Sequence, residues 1–133
     1  MENEGVPDKR ATDAIEVSGV KDLKLRNVSA AWDEAKPEEK WGSALRLKDV
    51  TGLEVDGFTG RQGLKAGSAA VIVLENVVDG ILRNMRAADG SGTFLELRGP
   101  GNRQIWTYNN ELSKAKTREV FTAGAQKDSI KIQ

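Results

Sequence analysis

The sequence predicts an all-β chain folded as a right-handed parallel β-helix of about five coils. A strand, a bend and a second strand recur through the chain, and the recurrences share a frame. Ile15-Glu16-Val17-Ser18-Gly19-Val20 overlays Leu45-Arg46-Leu47-Lys48-Asp49-Val50 and Ile72-Val73-Leu74-Glu75-Asn76-Val77. Leu95-Glu96-Leu97-Arg98-Gly99-Pro100 continues the frame, and Phe121-Thr122-Ala123-Gly124 follows it more loosely. The first apolar residues stand at 15, 45, 72, 95 and 121, in steps of 30, 27, 23 and 26. A fixed unit joined by filler of variable length is the pattern of a solenoid, in which each unit buries its apolar face only against its neighbours. A small β-sandwich or barrel also places turns at short intervals, but it leaves the step and the matched charge rows unexplained.

The elements follow in order. Residues 1–12 are polar, contain Pro7 and read as a flexible lead-in; residues 13–133 read as one β-helix domain. In the first coil Val20-Lys21-Asp22-Leu23-Lys24-Leu25-Arg26-Asn27-Val28 alternates as a half-buried strand does. The second coil matches it with Val50-Thr51-Gly52-Leu53-Glu54-Val55-Asp56-Gly57-Phe58. In the third, Val77 to Met85, one apolar position moves from Gly80 to Ile81. The fourth, Asn102 to Asn110, is looser, and the fifth ends on Ser129-Ile130-Lys131-Ile132. Connections of unequal length, about 29–42, 59–68, 86–92 and 111–118, account for the variable step. Pro37 limits any helical turn in the first of them to a short one.

Stacking these units in parallel predicts three interior columns: Ile15–Leu45–Ile72, Leu25–Val55–Leu82 and Val28–Phe58–Met85. Outside, Arg26, Asp56 and Arg83 alternate in sign, and Lys24 stands beside Glu54. Opposite charges on adjacent strands contribute about 0.2–1 kcal/mol per pair. Asn27, Gly57, Asn84 and Asn109 align at the next bend, where left-handed backbone is tolerated and stacked amides hydrogen-bond along the axis.

Composition narrows the chemistry. The 133 residues carry 20 Lys and Arg against 20 Asp and Glu, so bulk attraction to nucleic acid or an anionic membrane is not expected. The chain has no cysteine, hence no disulfide or thiolate metal site. It also has no histidine, which removes imidazole ligands and every nucleophile activated by histidine. No apolar run is long enough to span a bilayer, the first residues lack an export-leader pattern, and the compartment stays open. Acidic residues are too scattered for a calcium loop and no phosphate or dinucleotide fingerprint occurs, so no metal and no cofactor is expected. Asn27-Val28-Ser29 matches a glycosylation sequon, but the bend row accounts for Asn27.

The stretch Trp41-Gly42-Ser43-Ala44-Leu45-Arg46-Leu47-Lys48-Asp49-Val50-Thr51-Gly52-Leu53-Glu54-Val55-Asp56-Gly57-Phe58 resembles the late coils of pectin-lyase-like β-helix proteins. It is most similar to the C-terminal coils of polygalacturonase-like glycoside hydrolases of family 28. Gly92 to Gly99 and Asn109 to Ala115 share that style, so the resemblance covers roughly residues 14–133. The family's catalytic signatures are Asn-Thr-Asp, Asp-Asp, Gly-His-Gly and Arg-Ile-Lys, and none occurs in this chain. The resemblance therefore implies a non-catalytic C-terminal segment of an exported polysaccharide-acting protein, which completes the solenoid and contacts glycan. A self-contained hydrolase or lyase and a structural or adhesive module are the alternatives.

Glycoside hydrolysis needs two carboxyl groups about 5–5.5 Å or 6.5–9.5 Å apart. The candidate pairs are Asp49 with Asp56, Asp79 with Glu75, and Asp33 with Glu34; the bends and the charge row already account for Asp49, Asp79 and Asp56. The candidate carbohydrate-binding residues are Trp32, Trp41 and Arg61. Indoles stack on sugar rings and a guanidinium pairs with a uronate carboxylate; the same two indoles can instead clamp the connection against the solenoid. Trp106 and Tyr108 are further aromatics on the fourth coil. A polysaccharide is the expected partner. Self-association is expected through the exposed first coil, whose unpaired strands invite pairing with another chain.

Overall fold

The computed structural model describes residues 15–30, 42–62 and 69–132. Apolar-polar alternation produces three long strand runs of equal length: β1 (Ile15–Arg26), β3 (Leu45–Asp56) and β5 (Ile72–Arg83). Each is followed by a two-residue strand on another face: β2 (Ser29–Ala30), β4 (Thr59–Gly60) and β6 (Arg86–Ala87). In the fourth turn the long run divides into β7 (Thr93–Arg98) and β8 (Arg103–Tyr108). The chain then forms β9 (Thr117–Thr122), a 3-10 turn over Lys127–Ser129 and β10 (Ile130–Ile132).

All of these strands pair in parallel. One path runs β1-β3-β5-β7-β9, a second runs β5-β8-β10, and the short strands form a sheet β2-β4-β6. The architecture is a parallel β-solenoid of about four turns, built from five rungs of which the last is incomplete.

The registers match the expected columns. Ile15 lies opposite Leu45 and Leu45 opposite Ile72; Leu25, Val55 and Leu82 align likewise. Leu53 lies opposite Gly80 and Glu54 opposite Ile81, so the apolar residue displaced in the third turn faces outward. The space at Gly80 is taken by Ile105, 3.5 Å from where a Cβ would stand. The fifth rung departs from expectation. Phe121 pairs with Leu97 rather than Leu95, and Glu119 takes the position opposite Leu95.

Bends between the flat segments use left-handed backbone. Gly19, Asp49, Asn76 and Gly99 occupy one row with φ between 55° and 84°. Asp22, Gly52, Asp79 and Gln104 form a second, and Asn27, Gly57, Asn84 and Asn109 the third. Side-chain amides tie these rows together: Asn76 Nδ2 donates to Asp49 Oδ1 at 2.6 Å and Asn84 Nδ2 to Asp56 Oδ1 at 2.8 Å, while Asn109 donates to Asn84.

The core is the stack of inward residues. Leu45, Leu47, Val50, Val55 and Phe58 of the second turn are fully buried. Burial of each such side chain contributes about 1.5–3 kcal/mol. Toward the C-terminal end polar residues enter the columns. Asn102 Oδ1 accepts from Val77 N at 2.8 Å, and its amide donates to the carbonyls of Leu74 and Arg98 at 3.2 and 3.1 Å. Asn110 Oδ1 accepts from Met85 N at 2.9 Å. These side chains bond backbone groups that a valine or a leucine would leave without a partner.

Candidate functional site

Among the described residues, an open groove of about 850 Å³ runs along the outer side of the second halves of β1, β3 and β5 and over β8 and β10. Two sequence features hollow it out. The left-handed bend at Asp22, Gly52, Asp79 and Gln104 turns the backbone, and Gly52 presents no side chain there. A Cβ on Gly52 would stand 2.7 Å from Asp22 Oδ1, so that row admits little more than a glycine at this turn.

Trp106 forms the apolar wall. Strand alternation buries Ile105 completely and Thr107 nearly so, which directs Trp106 outward, and it remains 40% exposed. Directly opposite it stand Ile81 on one side and Lys131 on the other. The outward column thus reads Lys24, Glu54, Ile81, Trp106, Lys131: two apolar residues between charged ends. Asp22, Asp79 and Gln104 line the bend beside it. Strands are spaced about 4.8 Å apart, so the five rungs span about 19 Å along the axis.

The charge row beside the groove is satisfied within itself. Arg83 Nη2 lies 2.5 Å from Glu54 Oε2 and 3.2 Å from Asp56 Oδ2, and Nη1 donates to the Tyr108 hydroxyl at 3.4 Å. Arg26 lies 3.9 Å from Glu54. The Asn84 amide, and after it the Arg83 and Arg26 charges, hold the Asp56 carboxyl below its ordinary value despite some desolvation. The Tyr108 hydroxyl and then the Asp56 carboxylate hold the Arg83 guanidinium above its own ordinary value. Glu54 is therefore occupied, and the polar groups that line the groove outside this network are Lys24, Lys131, Asp22, Asp79 and Gln104.

Of the sequence-predicted carbohydrate-binding residues, Trp32 and Trp41 lie outside the described residues, as do Asp33 and Glu34. Arg61 is 4% exposed, and its Nη1 donates to the Gln62 carbonyl at 3.1 Å. Gln62 in turn bridges to the next connection: its amide donates to Gly90 O at 2.8 Å and accepts from Gly92 N at 3.0 Å. Arg61 thus sits in a buried polar seam between turns, apart from the groove. Of the candidate carboxylate pairs, Asp49 accepts from Asn76, Glu75 pairs with Arg46 at 3.3 Å, and Asp56 belongs to the charge row. No group of three or more potential metal ligands occurs among the described residues. No described helix is long and apolar enough to cross a membrane.

Sequence reasoning noted Trp106 but did not join it to Ile81. The signal was present in the displaced apolar residue of the third turn. An isoleucine at an outward position, with a tryptophan in the same column one turn later, marks an apolar strip on a polar face. Comparison with protein-family models, curated proteins and solved structures yields no match for the chain.

Proposed function

We propose that the chain is a non-catalytic β-solenoid segment that binds an extended polysaccharide along the Trp106 groove and finishes the solenoid at its C-terminal end. The observation that carries this reading is the exposed Trp106 beside the half-buried Ile81, set among side chains of both polarities. A sugar chain presents C–H faces that stack on an indole and hydroxyls that both donate and accept. Lys24 and Lys131 supply donors, Asp22 and Asp79 supply acceptors, and Gln104 supplies both. An apolar wall with a few convergent polar groups is the usual make-up of a small-ligand site, and this volume falls in its range. The pectin-lyase-like repeat style of the sequence supports a polysaccharide, and the family 28 resemblance supports a pectic one.

Native gels cast with polygalacturonate, rhamnogalacturonan or a neutral glucan test the proposal. Retardation in at least one gel is expected, with Trp106→Ala weakening it about tenfold, equivalent to about 1.4 kcal/mol. Unretarded migration in every gel, or equal retardation of the folded variant, overturns the reading.

A further inference from the structure

An Asp-Gly pair is open to spontaneous rearrangement, because glycine places no side chain around its amide nitrogen. The sequence holds three such pairs: Asp56-Gly57, Asp79-Gly80 and Asp89-Gly90. Rearrangement begins when the glycine nitrogen attacks the aspartate Cγ, so the peptide joining the two residues has to rotate. The fold treats the three peptides differently.

At Asp56 both groups of that peptide are held. Gly57 N donates to Arg83 O at 3.1 Å, and Asp56 O accepts from Asn27 N at 2.8 Å. Its carboxylate is held as well, by the Asn84 amide at 2.8 Å and by Arg83 Nη2 at 3.2 Å. At Asp79 the peptide lies inside β5, with Gly80 buried and in register between Leu53 and Ile105. Neither restraint operates at Asp89. Ala88 O accepts from Ser91 N at 3.2 Å, closing a turn with Asp89 and Gly90 at its centre. The Gly90 φ of 90° marks a type II turn, whose central peptide takes no part in the closing bond. Among the described residues, neither Asp89 O nor Gly90 N makes a hydrogen bond, and both residues are exposed. The Asp89 carboxylate meets Lys114 Nζ at 3.3 Å, an exposed pair that restrains it weakly.

We propose that the Asp89-Gly90 turn is the site of isoaspartate formation in the folded chain. Gly90 N bonds to Cγ of the protonated Asp89 carboxyl. The nitrogen gives up its proton and the carboxyl its hydroxyl, which leave together as water, and a five-membered succinimide remains. Water then adds at the former Asp89 main-chain carbonyl carbon, and the bond from that carbon to Gly90 N breaks. The main chain now runs through Cβ and Cγ, one carbon longer, and the old carbonyl has become a free carboxylate. Solvent is the only co-reactant.

The change reaches beyond the turn. Ser91 Oγ and Ser91 N both donate to Ala88 O, Gln62 Nε2 donates to Gly90 O, and Gly92 N donates to Gln62 Oε1. A longer main chain moves Gly90 out of this set and opens the buried seam of Arg61 and Gln62. The modification therefore loosens one connection and leaves the paired strands in place. The new carboxylate is the group that a repair methyltransferase esterifies, moving a methyl group from the sulfur of S-adenosylmethionine to the carboxylate oxygen.

Peptide mapping after incubation in water enriched in heavy oxygen, at mildly acidic pH, tests the proposal. Each opened ring leaves a solvent oxygen in its peptide, and methylation by isoaspartyl methyltransferase confirms the product. In the folded chain, label is expected at Asp89 at least about tenfold faster than at Asp56 or Asp79, where hydrogen bonds must break before the peptide can turn. In concentrated urea the three sites are expected to label at comparable rates, because they share the Asp-Gly sequence. Asp89→Glu, whose ring would be six-membered, is expected to keep the circular dichroism spectrum and lose the fast site. Folded-state labelling of Asp56 or Asp79 as fast as Asp89, or a silent Asp89 in a chain that labels in urea, overturns the proposal. Asp89 and Gly90 do not line the Trp106 groove, so the result is independent of the glycan gels.

Discussion

Asn102→Ala isolates the role of a polar side chain inside an apolar column. Asn102 is 3% exposed and makes three hydrogen bonds, all to backbone: one accepted from Val77 N and two donated to the carbonyls of Leu74 and Arg98. Alanine leaves the Val77 N–H buried without this acceptor, which costs about 1–3 kcal/mol. The two lost donations to carbonyl oxygens add about 0.5–1.5 kcal/mol each. The expected loss is thus about 4 kcal/mol, or about 16 °C in Tm for a domain of this size. Urea unfolding followed by circular dichroism reads it as a lower midpoint with an unchanged slope. Asn109→Gly serves as the comparison, because Asn109 is exposed, its φ of 55° suits glycine, and its side chain bonds along the ladder to Asn84. Its loss is expected to stay below about 1 kcal/mol. An Asn102→Ala loss as small as that of Asn109→Gly refutes the assignment of Asn102 as the column's backbone cap.

Gly57→Ala combines a left-handed φ of 86° with a Cβ 2.8 Å from Asn27 Oδ1, so a loss of about 1–2 kcal/mol is expected in the same unfolding assay. Gly57→Asn is expected to lose less, since Asn27 and Asn84 already occupy that row at φ 53° and 57°. The folded-state pKa of Asp56 is depressed, so between that value and the unfolded value near 3.9 the unfolded chain binds more protons and stability rises with pH. The contribution of Asp56 is present above about pH 4 and disappears as pH falls through its folded pKa. Wild type and Asp56→Asn should accordingly differ at pH 7 and converge in acid, as read by melting curves across pH. Arg83→Met breaks the contacts to Glu54, Asp56 and Tyr108 together, and its effect should shrink in concentrated salt.

Where the repeat units keep equal length, the fold was legible residue by residue. β1, β3 and β5 each run for 12 residues, so aligning Leu25 with Val55 and Leu82 also fixes Arg26 against Asp56 and Arg83. Legibility falls where that length changes. Two extra residues at the Gly99–Asn102 bend split the fourth run into β7 and β8, and with them the apolar spacing shifts. In the fifth rung Glu119 occupies an inward position, so a search for apolar residues slides by two to Phe121. The carboxylate at that inward position, and no change of fold, erases the periodic signal there.

The groove was hidden for a different reason. Hydropathy patterning tracks what faces inward, whereas Trp106 and Ile81 matter because they face outward on neighbouring rungs. Only the register shows that they adjoin. Arg61 illustrates the converse: a cation on a connection reads as exposed in sequence, yet the seam with Gln62 and the next turn encloses it.

The central claim is that Trp106 meets a sugar chain. A Trp32→Phe, Trp41→Phe variant leaves Trp106 as the sole indole reporter of the three in the sequence. Titrating it with polysaccharide fragments of graded length should give a saturable blue shift of its emission, strengthening until the fragment fills the five rungs of the groove. Emission that stays unchanged with acidic and neutral polysaccharides alike would contradict the account.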